Sequence, residues 1–167
     1  MMGAGKTTVG RLLARQAGFD FVDCDREIEA RSGVPVATIF ELEGEAGFRK
    51  REAALIDELT RRTRTVLATG GGAVLLEGNR DLLRERGLVI YLQASADEIA
   101  RRTSNDRTRP LLQTADPRAR IAELLQQREP LYRQTAHLTF ASPAANPRRL
   151  VGRILDDPRV QERLRSG

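Results

Sequence analysis

Apolar residues recur along this chain at two periods, and the switches between them mark out helices and strands. Residues 9–18 set Val9, Leu12 and Leu13 at helical spacing and end on Gly18, a good left-handed stop. Residues 19–23 alternate apolar and acidic positions and predict a short strand. A helix is predicted next over 26–32, with Asp25 as its cap and Gly33 and Pro35 as its breakers. A short helix passes through Ala37, Thr38, Ile39 and Phe40 and stops at Gly44. From Glu45 to about Arg62 a long amphipathic helix puts Phe48, Leu55, Ile56 and Leu59 on one face, with Arg49, Lys50, Arg51, Asp57 and Glu58 off it.

The second half repeats the alternation. Residues 65–69 form a β-branched run ended by Gly70, Gly71 and Gly72, and 79–86 a short helix closed by Gly87. Residues 88–92 are a continuous apolar run, the kind buried on both faces of a parallel sheet. Ser95 and Glu98 make a capping box that opens a helix ending near Thr103. Residues 104–116 have no clean period and are expected to be a functional loop. Asp116 and Pro117 then cap a helix through Ile121, Leu124, Leu125 and Arg128, which Pro130 is expected to kink or restart. A last strand is predicted over 137–140, and Asn146 and Pro147 open a helix holding Leu150, Val151, Ile154 and Leu155. Strands alternating with helices predict a doubly wound α/β domain, a parallel sheet with helices on both faces.

Composition narrows the class. The 167 residues suffice for one domain, 1–167, with a sizeable core. Hydrophobic content of 40% beside 31% charge is that of a globular chain, and no apolar run approaches membrane-spanning length, so no membrane partner is expected. One cysteine, Cys24, permits no internal disulfide and fits a reducing compartment; with no signal peptide visible, a cytoplasmic location is expected. The net charge of +5 raises the question of nucleic acid, but the arginines are spread along almost every helix and only two Tyr and five Phe could stack on bases. A small anionic substrate accounts for the excess equally well.

Lys6 and Lys50 are the only lysines among 28 basic residues, and Lys6 lies inside Gly3-Ala4-Gly5-Lys6-Thr7-Thr8. That is most of a phosphate-binding loop, whose first glycine would fall one position before Met1. Small residues there let backbone N–H groups curl around phosphates. The ammonium reaches the outer phosphates, the hydroxyl takes a magnesium position, and the loop feeds the positive end of a helix. The alternative is a glycine-rich tail before an ordinary helix.

Ligands of such sheets bind beyond the carboxyl ends of the strands, which selects Asp23 and Asp25, Gly70 to Gly72, and the loop after the helix at 96–103. Two carboxylates at a strand end suit a water-mediated magnesium and acceptance of a hydroxyl proton. Against that stands the plain reading that Asp25 caps its helix and Asp23 is solvated. Three successive glycines let backbone amides approach a ligand, or simply make a flexible turn. Arg109 in its loop suits a transferring phosphoryl group, and Arg49 or Arg128 could fork a carboxylate, though surface solvation competes at each. Glu52, on the Phe48 face, is placed to orient an arginine from within. His137 and Cys24 receive no role.

Taken together and in order, these segments resemble the shikimate kinase family. The likeness runs through Gly3 to Thr8, Asp23-Cys24-Asp25, Ile39-Phe40 to Phe48-Arg49, Gly70 to Val74, Arg109-Pro110-Leu111-Leu112, and Arg128-Glu129-Pro130-Leu131-Tyr132. The resemblance implies a P-loop kinase that phosphorylates shikimate with ATP and Mg2+. It implies that Asp25, Arg49, Gly70, Gly71, Gly72 and Arg128 hold shikimate, with Asp25 as base. Gly3, Ala4, Gly5, Lys6, Thr7 and Thr8 hold ATP, Lys6 and Arg109 stabilise the moving phosphoryl group, and Thr7 and Asp23 serve the metal. Arg102 and Pro147 would flank adenine, although Ala145 stands where the family commonly has a further arginine. It implies a lid at about 104–116, a substrate segment at about 25–62, and a monomer. It also implies a central strand before the phosphate loop, so the true start is expected upstream of Met1: buried unpaired strand groups cost about 1 to 3 kcal/mol each. The competing readings are another P-loop small-molecule kinase, such as a gluconate kinase, and a non-catalytic nucleotide-binding regulator.

Overall fold

A computed structural model describes residues 1–104, 112, 114–142 and 146–166. Helix α1 (Lys6–Ala17) leaves the glycine loop and ends on Gly18, whose left-handed backbone (φ 67°) returns its N–H to the Ala14 carbonyl. Strand β1 (Asp20–Asp23) runs straight into α2 (Cys24–Ser32), and α3 (Val36–Leu59) leads to β2 (Thr65–Ala68). A 3-10 turn, Ala73–Leu75, precedes α4 (Glu77–Arg86), then β3 (Ile90–Gln93) and α5 (Ala96–Thr103). The remainder is α6 (Pro117–Thr135), β4 (Leu138–Ala141), α7 (Pro147–Leu155) and α8 (Pro158–Ser166).

Several boundaries differ from those expected. Helix α2 starts at Cys24, and its cap is Asp23, not Asp25: Asp23 keeps the extended backbone of β1 and its carboxylate accepts the Arg26 N–H. Asp25 therefore lies in the first turn of α2 and is not its cap. The two helices predicted on either side of Gly44 form α3, interrupted where Gly44 takes φ 68° and ψ −179°. Helix α6 continues through Pro130 without a break, because Ile121, Leu124, Arg128 and Tyr132 are buried along its length and hold both halves in place. The Ser95–Glu98 capping box forms in full, as do the Asp116 and Asn146 caps. Helix α8 was not foreseen, although Asp157 before Pro158 repeats the signal of Asp116 before Pro117, and Asp157 accepts the Arg159 N–H at 3.0 Å.

The strands pair in parallel, as the doubly wound reading expects. β1 lies parallel to β2, from Asp20 opposite Thr65 to Asp23 opposite Ala68, and β3 lies parallel to β4, from Ile90 opposite Leu138 to Gln93 opposite Ala141. Among the described residues these are two separate two-stranded sheets, and β2 and β3 share no ladder. A cavity of about 510 Å³ is lined by both, with Val66, Ala68, Ile90, Leu92, Met1 and Tyr132 among its walls. The α/β class and parallel pairing hold, and the two pairs stand apart where the family resemblance implies a central strand.

Two apolar clusters fill the interior. One joins Val9, Leu92, Ile99, Ile121, Leu150 and Val151 between the second strand pair and its helices. The other gathers Ile28, Ile39, Phe48, Leu55, Ile56 and Leu59 beneath α2 and α3. Among the described residues, no helix is long and apolar enough to cross a membrane.

Candidate active site at the carboxyl ends of the strands

The phosphate loop needs its glycines. Gly3 and Gly5 both adopt left-handed backbone, φ 66° and φ 87°, and a side chain at Gly3 would press on Thr103 at 2.9 Å. Lys6, the first residue of α1, turns back so that Nζ donates to the Met1 carbonyl at 2.7 Å. Thr7 donates its hydroxyl proton to Asp23 Oδ2 at 2.7 Å, joining the two expected metal residues. Ala4 is buried, its carbonyl accepting the Ser142 hydroxyl at 2.7 Å, while Thr8 is exposed. Arg102 donates to the Gly3 carbonyl at 3.0 Å and to the Ser142 carbonyl, fixing α5 against the loop. Pro147 opens α7, which packs on α1.

The donors fit magnesium better than any ion that needs a full protein cage. Thr7 and Asp23 supply one hydroxyl and one carboxylate in contact, which suits an ion keeping most of its water and taking the rest from phosphate. Among the described residues no cluster of three His, Cys, Asp or Glu exists that would hold a dedicated metal.

The three glycines after β2 are pressed by groups from distant elements. A side chain at Gly70 would sit 2.5 Å from Glu52 Oε1 and 2.9 Å from Asp25 Oδ1, and one at Gly72 would overlap the Arg49 guanidinium. The turn thus admits only glycine because two acids and a guanidinium already occupy the space against it. Gly71 lies against the backbone of Met1 and Met2, so the same turn touches the phosphate loop.

Beneath the turn, Arg49 Nη1 donates to Glu52 Oε2 at 2.6 Å and Arg49 Nη2 to Glu45 Oε1 at 2.9 Å. Glu52 is wholly buried, and its Oε1 has no hydrogen-bond partner. Burial pushes its carboxyl above the ordinary value; the Arg49 charge opposes this and Asp25 adds to it. Burial likewise works against the Arg49 charge, yet Glu52 and Glu45 leave the guanidinium more firmly protonated than usual. Arg128 is 4% exposed, and its Nη1 is buried without a partner. An unpaired guanidinium N–H beside a glycine turn is fitted to receive an anion.

The structure therefore brings Asp25, Arg49, Glu52 and the glycine turn together, and joins Thr7 to Asp23, with Lys6 turned to the Met1 carbonyl. Arg109 and most of the expected 104–116 lid lie outside the described residues. His137 is structural: its Nδ1 accepts the Val89 N–H at 3.0 Å, and burial lowers its pKa. Cys24 is buried. Tyr132 went unassigned in the sequence, though its place four residues beyond Arg128 puts both on one face of α6.

Comparisons with known proteins place the chain in a family. The shikimate kinase family model matches residues 2–158. A shikimate kinase of Bordetella avium is 58% identical over 161 residues, covering 96% of this chain and 76% of that protein. One from Nitrosospira multiformis is 54% identical, covering 98% and 84%. Among solved structures, a shikimate kinase from Acinetobacter baumannii in complex with shikimate superposes with a TM-score of 0.91 at 48% identity, over 92% of this chain and 86% of that one. The shikimate kinase of Aquifex aeolicus gives 0.80 at 31%, over 93% and 90%.

A glycine loop feeding α1, acids at the end of β1 and parallel α/β pairing define a P-loop kinase. With the match spanning nearly the whole length, the chain belongs to the shikimate kinase family.

Proposed function

We infer that this protein transfers the terminal phosphoryl group of ATP to the 3-hydroxyl of shikimate, giving shikimate 3-phosphate and ADP. The observation that carries the reading is the Gly70–Gly72 turn, which touches Asp25, Arg49 and the start of the phosphate loop at once. A carboxylate-binding guanidinium, a proton acceptor and a phosphate cradle then share one wall.

In this reading the substrate carboxylate is forked by Arg49 and Arg128, with the glycine amides beside it. Asp25 takes the proton of the attacking hydroxyl as its oxygen bonds to phosphorus and the bond to the departing ADP oxygen breaks. Lys6 and Arg109 balance the charge that spreads over the moving phosphoryl oxygens. Magnesium, held by Thr7 and through water by Asp23, would neutralise phosphate charge. Gly3, Ala4, Gly5 and Thr8 cradle the phosphates, and Arg102 and Pro147 are the adenine candidates. The 104–116 segment is proposed as a lid that excludes water. We place the protein in the cytoplasm as a monomeric single domain; the lone buried Cys24 supports a reducing compartment.

The test is ADP release coupled to NADH oxidation, with shikimate, gluconate and no acceptor in parallel. Turnover with shikimate alone is expected, and Lys6→Ala should lower kcat by roughly 10² to 10³. Turnover with gluconate, or ATP binding with no acceptor-dependent ADP, would overturn the reading.

A further inference from the structure

Tyr132 joins the two elements that the substrate carboxylate would need. It is 6% exposed, its ring stacks on Tyr91 with centroids 5.2 Å apart, and its hydroxyl donates to the Gly71 carbonyl at 2.6 Å. The same hydroxyl lies beside the Arg128 guanidinium, whose charge opposes the rise in phenol pKa that burial causes. A phenol has one proton to give and lone pairs to spare. With the proton committed to Gly71, its oxygen keeps a lone pair on the buried side of α6 that also carries Arg128.

We propose that Tyr132 is a positioning residue for the substrate carboxylate, one oxygen that fixes the glycine turn and the Arg128 guanidinium relative to each other. The proposal rests on the reading of Arg128 as a carboxylate ligand. The turn belongs to the segment after β2 and Arg128 to α6, so no local hydrogen bond within either element sets their spacing. Tyr132 supplies that link from α6, on the face that already carries Arg128. Removing the oxygen leaves the Gly71 carbonyl without its donor, and the turn and guanidinium become free to drift apart. Recognition of a carboxylate that needs both then weakens more than the ATP side, which Gly3 to Thr8 and Arg102 hold.

The test compares Tyr132→Phe, Arg128→Lys and the double variant by steady-state kinetics, with thermal midpoints recorded for all. Tyr132→Phe is expected to raise the shikimate KM about tenfold, equivalent to about 1.4 kcal/mol, with kcat and the ATP KM changed less than about threefold. In the Arg128→Lys background the Tyr132→Phe penalty should shrink, because the two act as a unit. An unchanged shikimate KM in Tyr132→Phe overturns the proposal. So does a loss shared equally by kcat and the ATP KM, which would mark a merely structural role, and so does strict additivity in the double variant. A wild-type shikimate KM in Arg128→Lys overturns the carboxylate reading beneath it.

Discussion

Glu52→Gln removes one buried charge while keeping the side chain's shape. Glu52 is fully buried and paired to Arg49 at 2.6 Å through one oxygen, the other having no partner. At a charge separation of roughly 4 Å and an effective dielectric of about 20, the attraction is about 4 kcal/mol. Desolvation of the carboxylate opposes it by several kcal/mol. Burial wins, since the Glu52 carboxyl is pushed above 4.5 despite Arg49. An acid with a raised folded pKa holds its proton more tightly in the native state than in the unfolded chain. Its contribution is complete below the unfolded value and is lost as pH rises toward the folded one, by at most about 1.4 kcal/mol per unit.

Glu52→Gln should therefore unfold in urea within about 1 kcal/mol of the parent near neutral pH, with a flatter stability profile from about pH 5 upward. Glu52→Ala should lose about 3 to 5 kcal/mol, because it opens a void and strands the Arg49 charge beneath the glycine turn with only Glu45. Circular dichroism across a pH series reads both variants. A loss in Glu52→Gln equal to that in Glu52→Ala, or an unflattened profile, would refute the dominance of burial and restore the ion pair as the main term.

Two further outcomes test the rest of the molecule. Burial, with Asp25 second, holds the Cys24 thiol well above its ordinary pKa, so an aromatic disulfide reagent should leave it untouched in the native protein and titrate one thiol in denaturant; rapid native labelling would contradict the buried placement. The exposed Glu58 carboxylate is held down to about 2, first by hydrogen bonds from Arg31, so its contribution is present above 4.5 and lost as pH falls through about 2. Glu58→Gln should then shrink the drop in urea midpoint between about pH 5 and pH 2, and added salt should weaken the parent's advantage; an unchanged drop would sink the assignment.

Much of the site was legible because its signals are local. The phosphate loop at Gly3 to Thr8, the acids after β1 and the caps at Ser95, Asp116 and Asn146 depend on residues within one or two turns of each other, where spacing alone sets which N–H an oxygen can reach. Helix ends were less secure: Asp23 took the cap assigned to Asp25 because α2 begins at Cys24, directly after the last residue of β1. Periodicity likewise revealed Leu55, Ile56 and Leu59 as core, since burying one face of α3 is a property of that helix.

Tertiary structure alone decided what presses on what. That Gly70 and Gly72 admit no side chain follows from Asp25, Glu52 and Arg49, which arrive from helices α2 and α3. That Tyr132 meets Gly71 depends on α6 crossing a turn 61 residues away in sequence, and the division of the strands into two parallel pairs is set by which edges meet. The sequence by itself determined the elements, the phosphate loop and the residue types of the site, because propensity, capping and periodicity act over a few residues. Their convergence on one wall required packing, because contact energies between distant segments exist only once the chain has folded them together.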